Sequence, residues 1–594
     1  MDFTRLFDIL EYQLHRYPQK VAAAGQSTDG SWVHWSTAEL LAARDQLSMG
    51  LLALGIRKGD RFGILTHCGS PKWIIADLAM LQIGVVPVPI HATARPDEIA
   101  FIIQDAGLSG CFVSNADMLD KIIKAGTALD VTIGFERIAG TQAWEDILRT
   151  PDAPALEKLQ YYRSGIREND LATLLYTSGA TGTPKGVMLS HANIVSNIKS
   201  VLAIVPVGPH THALSFLPLS HILERMVLYV YQSAGVPIWF AESMETLPRT
   251  LQTVRPHFFT AVPRVLERTY ERLLEEQRRA GPIKRKILDW AIALGERYPY
   301  SGGQAMPPLY FLKRLVADVL VYRHWRKRLG GRVEAIAVGA AALRPNLGRL
   351  FSAAGIDVRE GYGLTETSPV IAFNRFEPGG VRFGTVGIPA PGVEVRIAEP
   401  DEAGAGEIQI KGPNVMLGYW NAPAETAARI TADGWFKTGD LGHFEHKRFL
   451  KISGRISEVF KTTTGKFVAP AFVEQQLNQS PLISQSIALG LNQPFVAALL
   501  VPDFAALERW CQENKVHWTS PQYMVLNPKV EKLYQQEIER INAESLGTVE
   551  MVRKFRLLHE PWSAENGLLT PTLKLRRAVL FRQYQDEISD LFVL

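Results

Sequence analysis

Short apolar runs recur between helical patterns through the first half of this chain, and that alternation restricts the fold more than any other feature. Phe62-Gly63-Ile64-Leu65, Val85-Val86-Pro87-Val88-Pro89 and Gly110-Cys111-Phe112-Val113 are separated by the helical patterns Trp73 to Leu81 and Asp97 to Ala106. Runs this short cannot complete a helix, and between helices they read as buried strands of a parallel sheet. A second cycle passes through Ala213-Leu214-Ser215-Phe216, Val236 to Phe240, Phe258 to Val262 and Ala335-Ile336-Ala337-Val338. The expected class is α/β, with parallel βα sheets in a large N-terminal domain.

Helical spacing also covers Leu6 to Val21 and Thr37 to Leu54, where Gly55 ends it. After Val381 the rhythm changes to strands punctuated by glycine, among them Val393 to Ile397, Gly406 to Ile410 and Phe449 to Ile452, which suggest a small antiparallel or barrel-like unit. Further strand signals at Ala488-Leu489-Gly490 and Val496 to Val501, with the helix Val530 to Ser545, suggest a compact α+β terminal domain. A boundary near Ser453-Gly454 gives domains 1–453 and 454–594. A length of 594 residues allows three or four structural units, at about 150 residues each.

Composition removes several classes. Hydrophobic residues make up 46% and charged residues 21%, as in ordinary globular chains. The 64 basic and 60 acidic residues nearly balance, which argues against a nucleic-acid partner. Cys68, Cys111 and Cys511 are far apart, without metal-ligand spacing, and read as reduced thiols. Met1-Asp2-Phe3-Thr4 lacks the basic start of a signal peptide, so the expected location is cytoplasmic. The most apolar stretch, Met226 to Phe240, is too short to span a bilayer, although a pI near 8.7 permits peripheral contact with anionic lipid at the inner face of a membrane. The charged helical region Arg264 to Arg328 has two readings: a solvated helix face, or a contact with phosphate or membrane.

Three clusters carry chemistry. Tyr176-Thr177-Ser178-Gly179-Ala180-Thr181-Gly182-Thr183-Pro184-Lys185-Gly186 puts hydroxyls, glycines and a lysine on one short loop, a composition suited to phosphate. A Walker A loop needs a lysine directly after the second glycine of a G-x4-G pair, and Pro184 stands five residues after Gly179 where that glycine belongs, so a P-loop NTPase is disfavoured. A strand over Leu171 to Leu175 precedes the loop, and Ser190 can cap a helix through Ile194 and Ile198. The second cluster, Glu360-Gly361-Tyr362-Gly363-Leu364-Thr365-Glu366-Thr367, reads as a turn that can stack a base on Tyr362, touch phosphate through Thr365 and hold Mg²⁺ through Glu366. In the third, Trp435 to Asp440, a carboxylate after a glycine can accept both hydroxyls of a ribose.

In this order the clusters resemble the adenylate-forming superfamily of acyl-CoA synthetases, luciferases and peptide-synthetase adenylation domains, over nearly the whole chain. Leu217 to Arg225, Lys461 to Pro470 and Leu569 to Arg577 look most like long-chain fatty acyl-CoA synthetases. The resemblance implies that Gly339, Ala340, Ala341 and the segment Glu360, Gly361, Tyr362, Gly363 border the adenine, and that Asp440 and Arg455 face the ribose. It implies that Thr177, Ser178, Gly179, Thr181, Gly182, Thr183 and Lys185 hold the outer phosphates. Thr365 would touch the α-phosphate or the carboxylate, Glu366 and Thr177 the metal, and His221 would lie beside the acyl carboxylate. Gly465 and Lys466 would lie near CoA, and Lys574 matches the catalytic lysine. Gly339-Ala340-Ala341-Ala342 departs from the family pattern in lacking a proline, and Gly454 to Glu458 departs at the hinge.

The implied reaction is ATP- and Mg²⁺-dependent joining of a medium- to long-chain fatty acid to coenzyme A through an acyl-adenylate. Lys574 would be brought to the nucleotide by movement of a small mobile C-terminal domain. The alternatives are adenylation of another carboxylic acid, transfer to a carrier-protein thiol, or an inactive acyl or nucleotide binder; a homodimer is compatible with each.

Overall fold

A computed structural model describes residues 3–27, 29–178, 184–278, 281–299, 306–402, 404–463, 466–563, 565–570 and 575–592. The chain divides into two compact units, one of residues 1–396, 409–438 and 444–451, the other of 397–408, 439–443 and 452–594. It passes between them within the strands Glu394–Ala398, Gly406–Lys411, Phe436–Glu445 and Phe449–Arg455, which follow one another in a four-stranded sheet, in the stretch where a small antiparallel or barrel-like unit was expected.

The larger unit is built on the two βα cycles. In the first, Arg61–Leu65 pairs in parallel with both Val86–Ile90 and Leu108–Val113. Four of the five residues of Arg61–Leu65 and all of Val86–Ile90 are buried, because helices cover the sheet. The helix Pro71–Leu81 starts where Ser70 Oγ accepts from Trp73 N and proline sits in the first turn. The second cycle forms a nine-stranded sheet in which Ala23–Gln26, Ile238–Phe240, Ala213–Ser215, Phe258–Ala261, Ala335–Val338 and Asp357–Gly363 run parallel. Antiparallel partners close both edges.

The loop expected between a strand and a helix is instead carried by a β-hairpin. Leu171–Ser178 pairs antiparallel with Pro184–Ser190, Thr177 opposite Lys185, and only then does the helix His191–Leu202 begin. Its start is as the sequence suggested: Ser190 and Asn193 form a capping box. Sequence periodicity missed the second strand because Pro184, Lys185 and Gly186 at its start interrupt any apolar run.

In the smaller unit, Val496–Pro502 is buried at every residue between Ile483–Leu489, antiparallel, and Val552–Leu557, parallel. Val473, Leu507, Tyr534 and Ile538 pack on one side, and Trp562, Leu568 and Leu580 on the other. A strand covered on both faces has no polar alternation, which is why Val496 to Val501 reads as one apolar run.

Candidate functional site

The first and second motif clusters meet through residues the sequence did not single out. Gly418–Tyr419 adds a third strand to the hairpin, pairing Tyr419 with Val187. From there the Tyr419 hydroxyl donates to Glu366 Oε1 at 2.9 Å. Lys185 Nζ lies 5.6 Å from the Tyr419 ring centre and is ion-paired with Glu425. One string, running from buried Tyr419 to exposed Glu425, therefore joins Glu366, Tyr419, Lys185 and Glu425, with Thr177 opposite Lys185 in the strand pair. Burial, and behind it the charge of Glu366, raises the Tyr419 phenol, so it stays a donor at neutral pH.

Gly186 is also required by packing. A Cβ there would stand 3.1 Å from both Trp420 Cβ and Tyr176 Cζ. Tyr176 OH donates to Asp105 Oδ2 at 2.6 Å, and Trp420 Nε1 to the Asp105 carbonyl at 3.0 Å, which clamps the strand pair near its Ser178–Pro184 end.

Residues Glu360, Gly361, Tyr362 and Gly363 belong to the strand Asp357–Gly363, a correction to the expected turn. The turn begins one residue later, at Thr365–Thr367, and is tied down from both sides. Thr367 Oγ1 accepts from Leu364 N at 3.0 Å, Asn414 Nδ2 donates to the Thr367 carbonyl at 2.9 Å, and Met416 N donates to the Glu366 carbonyl at 2.8 Å. Gly363 is required by space: a Cβ would lie 1.9 Å from the Pro369 carbonyl oxygen. Glu360 points inward, accepting from Leu343 N at 3.0 Å, and burial pushes its carboxyl up to about 8. It acts as an acceptor anchoring the chain just after Gly339, Ala340 and Ala341. In that loop Gly339 is buried, Ala341 is exposed, and exposed Ala340 adopts φ +68°, a left-handed conformation costly for a residue with a Cβ.

His221 caps the helix Ile222–Ser233, its Nδ1 accepting from Leu223 N at 3.2 Å. A second histidine, His91, has its ring centre 6.5 Å away and hydrogen-bonds Ser220 Oγ through Nδ1 at 2.8 Å. Burial lowers His91 to about 4, so it is neutral at pH 7.

The same motif supplies a core network. Arg225 is fully buried and donates to Asp77 Oδ1 at 2.5 Å, to Thr173 Oγ1 at 2.7 Å and to Tyr229 OH at 2.9 Å. Its neighbour Glu224 is 1% exposed, accepts from Ser215 Oγ at 2.6 Å, and is pushed by burial up to about 8. An unfolded glutamate titrates near ~4.3, so between these values the native state holds a proton that the unfolded chain has released. Stability from this group is therefore greatest in acid, falls as pH rises through neutral, and levels off above about pH 8. Glu224→Gln is expected to remove that decline, stabilising the protein by up to roughly 5 kcal/mol near pH 8 and hardly at all near pH 4. Thermal denaturation at both pH values checks it; equal effects at the two would contradict the assignment.

In the smaller unit, Arg455 Nε donates to Asp440 Oδ1 at 2.7 Å, and Asp440 is 3% exposed. Lys466 is exposed, its carbonyl accepting from Thr462 N at 2.9 Å between the short strands Phe460–Lys461 and Phe467–Val468. Lys574, Gly465, Gly179, Thr181, Gly182 and Thr183, and the side chain of Ser178, lie outside the described residues. The flanks of Lys574 are placed: Leu569 and Leu575 form an antiparallel bridge, and Arg577 is paired with Glu474 at 2.6 Å and Glu458 at 3.3 Å.

Tyr419, Glu425, Asp105 and His91 escaped the sequence reading. Gly418-Tyr419-Trp420-Asn421 is a compact aromatic turn that could have drawn attention. Nothing in spacing, however, links a tyrosine to a lysine more than two hundred residues earlier.

Among the described residues no three His, Cys, Asp or Glu side chains gather as a metal site. Mg²⁺ is commonly held by one or two carboxylates with substrate phosphates supplying further oxygens, and a carboxylate fixed on one oxygen by a phenol can offer the other. The donor chemistry at Glu366 thus fits Mg²⁺ arriving with a phosphate ligand.

A family model described as AMP-binding enzyme matches residues 10–420, and one for the AMP-binding enzyme C-terminal domain matches 458–593. A long-chain-fatty-acid–CoA ligase of Mycobacterium bovis is 34% identical over 95% of this chain and 93% of its own. Long-chain-fatty-acid–CoA ligase 6 of Mus musculus is 30% identical, covering 94% of this chain and 83% of its own. Among solved structures, the adenylation domain of a carboxylate reductase from Mycobacterium chelonae aligns with TM-score 0.76 at 22% identity, over 99% of this chain and 91% of that one. The o-succinylbenzoate CoA synthetase of Bacillus subtilis aligns with TM-score 0.68 at 21% identity, over 96% and 97%. These two likenesses concern the fold. With its nucleotide motifs in order and a family model matched over more than half of its length, the chain belongs to the AMP-binding enzyme family.

Proposed function

We propose that this protein is an ATP-dependent, AMP-forming ligase that joins a medium- to long-chain fatty acid to coenzyme A. The observation that carries the reading is the string in which Lys185 and Glu366, from two separate motifs, are drawn together by Tyr419. The acid and the acceptor are supported by the full-length relatives whose names specify them.

A carboxylate is a poor acyl donor. In the first step its oxygen attacks the α-phosphorus of ATP in line, the bond to the bridging oxygen breaks, and pyrophosphate leaves with that electron pair. Negative charge spreads over phosphoryl oxygens, so the residues chiefly position and neutralise. The motif residues Thr177, Ser178, Gly179, Thr181, Gly182, Thr183 and Lys185 hold the outer phosphates, with phosphate replacing Glu425 on Lys185. Thr365 donates to an α-phosphate oxygen, Gly339 to Ala341 and Tyr362 flank the base, and Asp440, oriented by Arg455, accepts the ribose hydroxyls. Glu366, with Thr177, holds Mg²⁺, which when bound offsets charge on the departing pyrophosphate. Lys574 places a cation on the reacting phosphate. In the second step the CoA thiol, near Gly465 and Lys466, loses its proton and attacks the acyl carbon beside His221, and AMP leaves. No protein nucleophile is needed, and the three free cysteines stand outside the chemistry. The chain divides by role at 453/454, the smaller part carrying Lys574.

ATP–pyrophosphate exchange over a panel of carboxylic acids, followed by a CoA thioester assay, tests the proposal. Exchange best with long acids and thioester formation are expected. Exchange without thioester would point to a carrier-protein acceptor, and no exchange with any acid would refute the reading. Glu366→Ala is expected to raise the Mg²⁺ concentration for half-maximal exchange by at least about tenfold, and Tyr419→Phe by several-fold, since loss of a supporting group typically costs about 10–100-fold in affinity. A magnesium titration unchanged in both variants would remove Glu366 from the role.

A further inference from the structure

The helical region between Gly281 and Gly330 leaves unexplained an apolar face turned to solvent. Pro308–Ala317, Asp318–Tyr322 and Arg323–Arg328 run consecutively, the middle five residues as a π-helical turn. One side of this segment is packed: Ala317, Val321, Tyr322 and Trp325 are buried, and Tyr322 OH donates to the Ala291 carbonyl at 2.7 Å. The other side carries Leu309, Leu312, Leu315, Val316, Val319 and Leu320, all exposed, Leu309 by 64% and Leu312 by 59%. Their spacing of three and four residues puts them on one face, with exposed Phe311 at its margin. On the preceding helix, Pro282–Glu296, Ile283 is 77% exposed. Scattered exposed leucines need no explanation, but a continuous row of this kind does.

Charge decides what fits that row. From 282 to 328 the sequence holds ten lysines and arginines against three acids. Lys284, Arg285 and Lys286 follow Ile283, while Lys313 stands within the longer row and Arg323 and Lys327 follow it, and all six are exposed. Asp318, the one acid within the longer segment, is already paired with Arg326, at 2.5 Å and 3.0 Å. An apolar strip bordered by unopposed cations matches the interface of a bilayer with anionic headgroups: side chains enter the acyl boundary and cations meet phosphates. A second copy of the same face would bring like charges together. No helix among the described residues is long and apolar enough to cross a membrane, so the segment would lie in the interface plane.

We propose that the Pro308–Arg328 face, with the start of Pro282–Glu296, docks this protein onto an anionic lipid bilayer. This deepens the reading of a fatty-acid ligase, whose acid partitions into membranes, but the docking does not depend on catalysis. Flotation of the full chain with phosphatidylcholine vesicles, with and without phosphatidylglycerol, tests it without ATP, CoA or fatty acid, so that failure of docking and failure of the catalytic reading are separate results. The protein is expected to float with the anionic vesicles and to be released by salt. A triple variant, Leu312→Ser, Val316→Ser and Val319→Ser, should lower the bound fraction about tenfold, and Arg323→Glu with Lys327→Glu several-fold, with pyrophosphate exchange on a short soluble acid unchanged in both. Because the charge-reversal variant leaves the apolar packing alone, it serves even if the triple variant misfolds. Wild-type protein that does not float, or variants that float equally, would overturn the proposal. So would a concentration-dependent dimer, broken by these substitutions, in protein that ignores vesicles.

Discussion

Lys574→Ala is expected to slow acyl-adenylate formation by about 10²–10³-fold while leaving thioester formation from supplied acyl-AMP within a few-fold of wild type. The first step concentrates negative charge at the α-phosphate, and a cation placed where charge develops contributes most there. The second step starts from an adenylate already formed and expels AMP, so the lysine's charge has less to offset. Pyrophosphate exchange reads the first step alone, and a thioester assay begun from synthetic acyl-AMP reads the second. Equal losses in both would mean that the substitution harms the fold or that the residue serves both steps, and the assignment would be withdrawn. Lys574→Arg separates charge from geometry: it keeps the cation, and partial recovery of exchange is expected.

Arg225→Met should destabilise the protein by about 3–5 kcal/mol, because it strands the Asp77 carboxylate in the core. Three acceptors surround the guanidinium within 2.9 Å, and Thr173 passes the contact on to the Pro87 carbonyl at 2.7 Å, so one side chain ties together the helices Pro71–Leu81 and Ile222–Ser233 and the strands Leu171–Ser178 and Val86–Ile90. Adding Asp77→Leu to Arg225→Met should recover part of the loss, since a buried pair removed whole costs less than one broken. Thermal unfolding of the single and double variants checks both statements; a single-variant loss below about 1 kcal/mol, or strictly additive losses, would show that the network is not a unit.

The βα rhythm was legible because each strand of a covered parallel sheet is apolar on both faces, and each intervening helix needs only its own periodicity and a cap such as Ser190. The loop whose composition suits phosphate was legible as composition, but its flanking strand pair was not legible as geometry: Lys185 and Gly186 gave no apolar signal for the second strand, and the expected turn at Glu360 to Gly363 is strand because Tyr362 pairs with Ala372 of the neighbouring strand. The apolar face between Leu309 and Leu320 was hidden for a similar reason. Periodicity marks an amphipathic helix without saying whether its apolar side meets the core or the solvent.

By itself the sequence determined the βα rhythm of the covered parallel sheets, the α/β class and the three motif clusters, since all of these follow from residues close together along the chain. Tertiary structure alone decided that Tyr419 links Lys185 to Glu366, that Arg225 belongs to the core while the neighbouring motif histidine caps a helix, and that Glu360 anchors Leu343 with its carboxyl. Each of these joins groups far apart in sequence, and their distances, burial and proton affinities exist only once the chain has closed around them.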